Sequence, residues 1–265
     1  MVWPPVWRLH RPGHRRFARI VLEGPIAGEA RRRVLRSVEQ LTRRRCAGLL
    51  LRIDSPGGTV GDSQEIHQAL RRLRQDGCPI VASYGNISAS GGVYVGSAAD
   101  RVVANPGTIT GSIGVILRGN NLEELLRRVG VRFETIKSGP YKDILSPDRA
   151  LTGEERSLLQ DLIDSSYDQF VTAVAEGRGL TRERVRSFAD GRVFSGAQAL
   201  ELGLVDLLGD EETARLELAR LAGVPPDRCR PATLGQPRRG LLQRLRQELA
   251  IVFGMAGQPL WLFHP

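Results

Sequence analysis

The stretch Tyr84 to Asp100, Y-G-N-I-S-A-S-G-G-V-Y-V-G-S-A-A-D, joins a β-like run (Pro79 to Tyr84) to a run of Ala, Gly and Val. That pattern predicts a strand, a tight turn and a closely packed helix. Ser90 would stand at or just before the helix N-terminus, where free N–H groups favour developing negative charge. The position suits a nucleophile, but it equally suits a serine that only caps the helix. A serine hydroxyl also needs a base within hydrogen-bond reach. Of the four histidines, His10, His14 and His264 fall in tail-like segments, and His67 sits in a helical pattern with no triad partner in view. Lysine is the remaining candidate. An ordinary lysine, with a pKa of about 10.4, is uncharged in only about one molecule per thousand near neutral pH, so a lysine base must be buried.

The 38 basic residues include two lysines, Lys137 and Lys142, and both fall in the loop K-S-G-P-Y-K-D (137–143). Arginine cannot lose its proton at accessible pH, whereas a desolvated lysine can. A hydroxyl such as that of Ser112 would aim the amine at Ser90. The third requirement is a pair of N–H donors for the oxyanion of a tetrahedral intermediate. Gly91 and a glycine of the turn D-S-P-G-G (54–58) suit that role, because glycine lets the backbone approach a substrate closely.

Several elements must position these groups. Phe17 to Glu23 alternates as a strand, Gly28 to Thr42 reads as an Arg-rich helix, and Ala47 to Ile53 as a buried strand running into the Gly57-Gly58 turn. Val60 to Arg74 reads as helix. The alternation predicts an α/β architecture with a mainly parallel sheet, whose sites form where loops leave the carboxyl ends of strands. Arg101 to Ala104 and Thr108 to Ile116 are β-rich, Leu122 to Val129 is helical, and Val131 to Ile136 reads as a strand delivering the lysine loop. A T-x-x-E capping box at Thr152 opens a long helix to about Glu176. Short helices follow at Thr181 to Phe188 and Ser195 to Leu202, with another at Asp210 to Leu221.

At 265 residues the chain can bury a substantial core. The net charge of +9 invites an anionic partner, but the arginines are scattered over helix faces without a zinc-finger or RNP pattern, so no nucleic acid is expected. Peripheral contact with an anionic membrane is the preferred alternative to plain solvated faces. Cys46, Cys78 and Cys229 have no metal-ligand spacing and read as buried thiols of a reducing compartment. No metal and no cofactor are expected. Residues 1–16 lack an h-region and no run reaches 18 apolar residues, so neither a signal peptide nor a transmembrane helix is expected. The expected location is cytoplasmic or peripherally membrane-associated. The segment 1–16 is expected to be a flexible or surface-associated tail, with Trp3 and Trp7 suited to a headgroup layer. From Pro225 the composition turns to Pro, Gly and Arg, ending in a modest apolar tail.

Taken in order, D-S-P-G-G (54–58), S-A-S-G-G (88–92), T-G-S-I-G-V (110–115) and K-S-G-P-Y-K-D (137–143) resemble the signal peptide peptidase A, or protease IV, family over roughly residues 17–222, in a short form with one catalytic half. The resemblance implies a Clp protease/crotonase-like spiral of β-β-α units with additional C-terminal helices. It implies a Ser/Lys peptidase domain at 17–222 followed by an extension at 223–265. It implies an ATP-independent serine endopeptidase acting through an acyl-enzyme on cleaved signal peptides or other membrane-proximal peptides. Ser90 then matches the nucleophile, Lys142 the general base, Ser112 the orienting hydroxyl, and Gly58 and Gly91 the oxyanion donors. Lys137 matches no catalytic position. Gly57 and Asn86 are the expected substrate contacts. The resemblance further implies homo-oligomers, such as a ring of about eight, with active sites near subunit boundaries, and leaves open whether the lysine reaches its own chain's serine or a neighbour's. The alternatives are a crotonase-like acyl-CoA enzyme and a non-catalytic scaffold on the same fold.

Overall fold

The computed structural model describes residues 16–43 and 46–235 together with the backbone of 260–262; Trp3, Trp7, His10, His14 and His264 lie outside the described residues. Its elements run β1 (Arg16–Glu23), α1 (Gly28–Arg43), β2 (Cys46–Ser55), β3 (Gly57–Thr59), α2 (Val60–Gln75), β4 (Ile80–Ala89), α3 (Gly91–Gly96), β5 (Arg101–Ala104), β6 (Ile109–Gly111), α4 (Glu123–Arg128), α5 (Gly153–Arg178), α6 (Arg182–Arg186), β7 (Val193–Ser195), α7 (Gly196–Leu202), β8 (Leu207–Leu208), α8 (Glu211–Leu221), β9 (Ala232–Leu234) and β10 (Leu260–Leu262).

Eight strands form one sheet in the order β7-β6-β4-β2-β1-β9, with β5 and then β8 branching from β4. Its pairs are parallel except β6 with β7. The apolar run of β2 is buried on both faces, as a central parallel strand requires: Leu49, Leu51 and Ile53 face the main core, and Leu50 joins Val81 and Val103 under α8.

The long strand β4 does most to place the site. Val81 to Tyr84 pair with β5, and then Ile87 to Ala89 pair with β6, so the strand changes partner before it reaches Ser90. The first turn of that change is braced by Asp54, whose carboxylate accepts the Ile87 N–H at 3.2 Å. Helix α3 then folds back against β2 and β4. A Cβ on Gly96 would come within 2.3 Å of the Tyr84 hydroxyl oxygen, so glycine at the end of this helix is dictated by contact with a fully buried tyrosine.

Two sequence expectations are corrected. Val131 to Ile136 forms no strand; it pairs with no segment among the described residues, and Val131, Phe133 and Ile136 are exposed. Cys46 and Cys78 are joined as a disulfide, because the start of β2 and the segment leading into β4 lie side by side, with the two Cα atoms 5.4 Å apart. The bridge removes the cysteine argument for a reducing compartment, and Cys229 keeps a buried thiol. Among the described residues no helix is long and apolar enough to cross a membrane.

Overpacking a tight contact of this kind costs about 1–3 kcal/mol. Gly96→Ala is therefore expected to lower the urea midpoint clearly. Gly61→Ala, whose added Cβ meets nothing within 4 Å, should leave it unchanged or raise it slightly.

Candidate active site

Ser90 sits at the junction of β4 and α3 with φ 52° and ψ −115°, conformations that side chains larger than glycine rarely adopt. Holding such a residue costs on the order of 1–3 kcal/mol and requires surroundings that over-determine it. They do so here. The Ser90 N–H donates to the Gly111 carbonyl at 2.8 Å, and the Ser90 carbonyl accepts the Tyr94 N–H at 3.0 Å as the first bond of the helix turn. The hydroxyl makes no capping hydrogen bond, so the capping reading of Ser90 finds no support, and the residue is 1% exposed.

Ser112 follows Gly111 directly, is nearly buried, and also has positive φ, 51°. Its N–H donates to the Arg192 carbonyl at 2.8 Å, which carries the ladder on toward β7. The two serines are thus fixed through adjacent residues of one backbone ladder. Gly91 is the first residue of α3, where an N–H has no partner within the helix.

Strand β3 lies against α3 and brings the other glycine. The Gly57 carbonyl accepts the Ile26 N–H at 2.7 Å and the Thr59 N–H donates to the Ile26 carbonyl at 2.9 Å. Alternate residues of a strand turn their N–H groups to opposite edges, so that of Gly58 faces away from Ile26. Glycine at 58 is obligatory, because a Cβ there would stand 1.9 Å from the Ile26 oxygen. Gly57 spends its N–H on the Ser55 hydroxyl at 3.1 Å. Asn86 is exposed and its amide reaches the Asp54 carboxylate at 3.4 Å.

The structure brings Ser90, Gly91, Gly58 and Ser112 together and leaves Lys142 apart. That lysine is exposed, and its amine has no hydrogen-bond or ion-pair partner among the described residues, Ser90 included.

Residues 72–225 match the profile of peptidase family S49. The chain belongs to that family. A Synechocystis sp. protein named as a protease is 51% identical over 277 residues, covering 97% of this chain and 99% of its own. An Enterococcus faecium protein named as the signal peptide peptidase SppA is 42% identical over 63% of this chain, which spans about half (48%) of that relative. Among solved structures, ClpP1 of Listeria monocytogenes in a point-mutant form superposes with a TM-score of 0.52 at 16% identity, covering 74% of this chain and 94% of that one. At that identity the likeness concerns the fold, which is of the Clp protease type. Membership of S49 places the chain among the serine proteases.

In this S49 chain the lysine loop is held by a relay of charges that the sequence reading missed. Lys137 donates to the Pro140 carbonyl at 3.0 Å and to Asp143 at 2.7 Å. Arg149 bridges Asp143, at 2.8 Å, to Glu155, at 2.8 Å. Glu155 in turn completes the capping box of α5 with Thr152. Arg149, and then the Thr152 N–H, hold the Glu155 carboxyl down at about 2, and Arg149 and Lys137 hold Asp143 well below the ordinary carboxylate range. Lys137 is a clamp. The signal for it was the spacing of Asp143, Arg149 and Glu155 at six-residue intervals around the loop, which only a folded-back loop makes meaningful.

Behind α3, His67 of α2 packs on Tyr94 with ring centroids 4.7 Å apart. Burial first, then the charges of Arg71 and Arg74, push its pKa down to about 4. The unfolded chain keeps an ordinary histidine near 6.5 and binds the proton first, so stability should fall as pH drops from about 6.5 toward 4, by on the order of 3 kcal/mol in all. His67→Phe is expected to flatten the pH dependence of the urea midpoint across that window; an unchanged slope would assign it to other groups. Arg149→Met should release the lysine loop, seen as amide hydrogen exchange at 139–146 about tenfold faster with the core amides unaffected.

Proposed function

We propose that this chain is an ATP-independent serine endopeptidase in which Ser90 attacks the peptide carbonyl, an uncharged Lys142 takes its proton, and Ser112 orients that amine. The observation that carries the reading is the strained, uncapped Ser90, whose hydroxyl caps nothing, at the start of α3 directly before Gly91, with the glycine strand β3 packed against that helix. A strained strand-to-helix turn is the usual way to present a serine nucleophile. Two N–H donors beside it supply the electrostatic stabilisation that acyl transfer needs. Attack forms the tetrahedral oxyanion; its collapse breaks the C–N bond, the lysine's proton goes to the leaving amine, and water then hydrolyses the acyl-serine. Cleaved signal peptides and other membrane-proximal peptides are the proposed substrates.

The exposure of Lys142 in one protomer supports a site completed by a second copy. A lysine base must give up its charge, which burial favours, so the proposed working state is a buried one. Around the lysine loop, Leu125, Val129, Phe133, Ile136, Leu158 and Leu162 leave apolar surface open that the described residues do not cover. A cavity of about 460 Å³ opens on the same arm between Leu117, Leu145, Leu159 and Ile163, and neither Ser90, Ser112 nor Gly58 lines it. We propose a homo-oligomeric ring in which this arm lies on its neighbour and delivers Lys142 to that neighbour's Ser90.

Fluorophosphonate labelling should mark the wild type and not Ser90→Ala. Lys142→Ala should lose about a thousandfold or more in peptide hydrolysis, while Lys137→Ala retains most of it; equal losses would reassign the base. Co-expressing Ser90→Ala with Lys142→Ala should restore about a quarter of the sites if lysine and serine come from different copies in a randomly mixed symmetric ring. Hydrolysis no better than either single variant would place both groups in one chain.

A further inference from the structure

The cavity of about 460 Å³ on the arm is walled by segments tied to one another: 117–121, 145–151 and the first half of α5. The Leu122 N–H donates to the Pro147 carbonyl at 2.6 Å, and the Ala150 N–H to the Glu123 carboxylate at 3.1 Å. Arg149 fastens the second segment to Glu155 of α5. In that wall Leu145 has φ 66°, a conformation a branched side chain keeps only where its surroundings hold it. Its Cδ2 lies 2.9 Å from where a Cβ on Gly119 would stand, so the facing glycine makes room for it. Strained residues of this kind cluster where ligands are held.

The charge of the wall is one-sided. Arg118, Arg149 and Arg156 line the cavity, and among the described residues no aspartate or glutamate does. Arg149 is spent on Asp143 and Glu155, whereas the Arg118 and Arg156 guanidinium groups have no hydrogen-bond or ion-pair partner among the described residues. Carboxylates close by in the chain are committed elsewhere: Asp148 accepts the Ser146 hydroxyl, and Asp164 the Gln160 amide at 2.7 Å. The same wall holds Leu117, Leu145, Leu159 and Ile163, together with the amides of Asn120 and Asn121. Guanidinium groups bind a carboxylate through charge-assisted N–H donors. The apolar side chains suit an apolar ligand, and the two amides suit peptide groups, which an alkyl chain lacks.

We propose that this cavity binds the C-terminal carboxylate of a short apolar peptide, with Arg118 and Arg156 as its cationic contacts. A cavity of this size takes a drug-sized molecule, about two or three residues of peptide. Hydrolysis at Ser90 would release such ends, so the occupant would be a product; that origin rests on the peptidase reading, and the binding does not.

The test titrates N-acetyl-leucyl-leucine into the full-length Ser90→Ala chain, which turns nothing over, and follows binding by calorimetry. The free acid should bind about tenfold more tightly than its C-terminal amide. Arg118→Gln combined with Arg156→Gln should abolish that difference; both side chains are exposed, so neither substitution opens the core. The bound acid should slow amide hydrogen exchange at 117–121 and 145–151. Equal affinity for acid and amide, no binding at about 10 mM, or protection confined to the residues around Ser90 overturns the proposal. Octanoate binding as tightly as the peptide acid overturns the peptide assignment in favour of a fatty acid. The expected binding, with no Ser90-dependent hydrolysis by the wild type, upholds the site and sinks the peptidase reading instead.

Discussion

The site depends on one hydrogen bond between backbones, from the Ser90 N–H to the Gly111 carbonyl. It is made at the point where β4 has just exchanged β5 for β6, and it closes the β4–β6 ladder one residue beyond its last regular pair. A serine with positive φ relaxes unless both flanks are immobile. On one side the flank is that ladder, continued through Ser112 and the Arg192 carbonyl to β7. On the other it is α3, pressed so closely on Tyr84 that Gly96 has no room for a side chain, while Gly92 lies tight against Ser88 and the Ser55 carbonyl. Strain at Ser90 is thus offset by packing several residues away, which leaves its hydroxyl uncommitted.

The two lysines divide their work by the same logic. Lys137 is neutralised in the relay through Asp143, Arg149 and Glu155, which fastens the loop to the first turn of α5. Exposed ion pairs are individually weak, but Glu155 is buried and shares its carboxylate with the capping box, so the relay ends on the helix itself. The loop is held, and Lys142 at its tip keeps an unspent amine. The long apolar stripe of α5 divides likewise: Phe170, Val171 and Val174 enter the core, whereas Leu158 and Leu162 stay open beside the arm that carries the loop.

Much of this was legible from residue pattern. The buried strand before D-S-P-G-G, the turn into the Ser90 helix, the capping box at Thr152 and the parallel α/β order all rest on interactions between residues a few positions apart, which periodicity and turn chemistry report directly. The apolar run at 131–136 misled because alternation describes a strand only where a neighbour exists to pair with it. The cysteines misled because their proximity is a property of strand order: β2 and β4 are adjacent although a whole helix separates them in the chain.

The amino-acid sequence by itself determined which residues are equipped for the chemistry: a serine before two glycines, glycines where a backbone must come close, and two lysines among 38 basic residues. Only the tertiary structure decided that Gly111 holds Ser90, that Ile26 turns the Gly58 N–H outward, that Lys137 is spent in a clamp while Lys142 is not, and that residues 260–262 lie along β3. Each of these is a contact between segments far apart in the chain. Its geometry follows from the order in which strands join the sheet, and no local pattern of residues encodes that order.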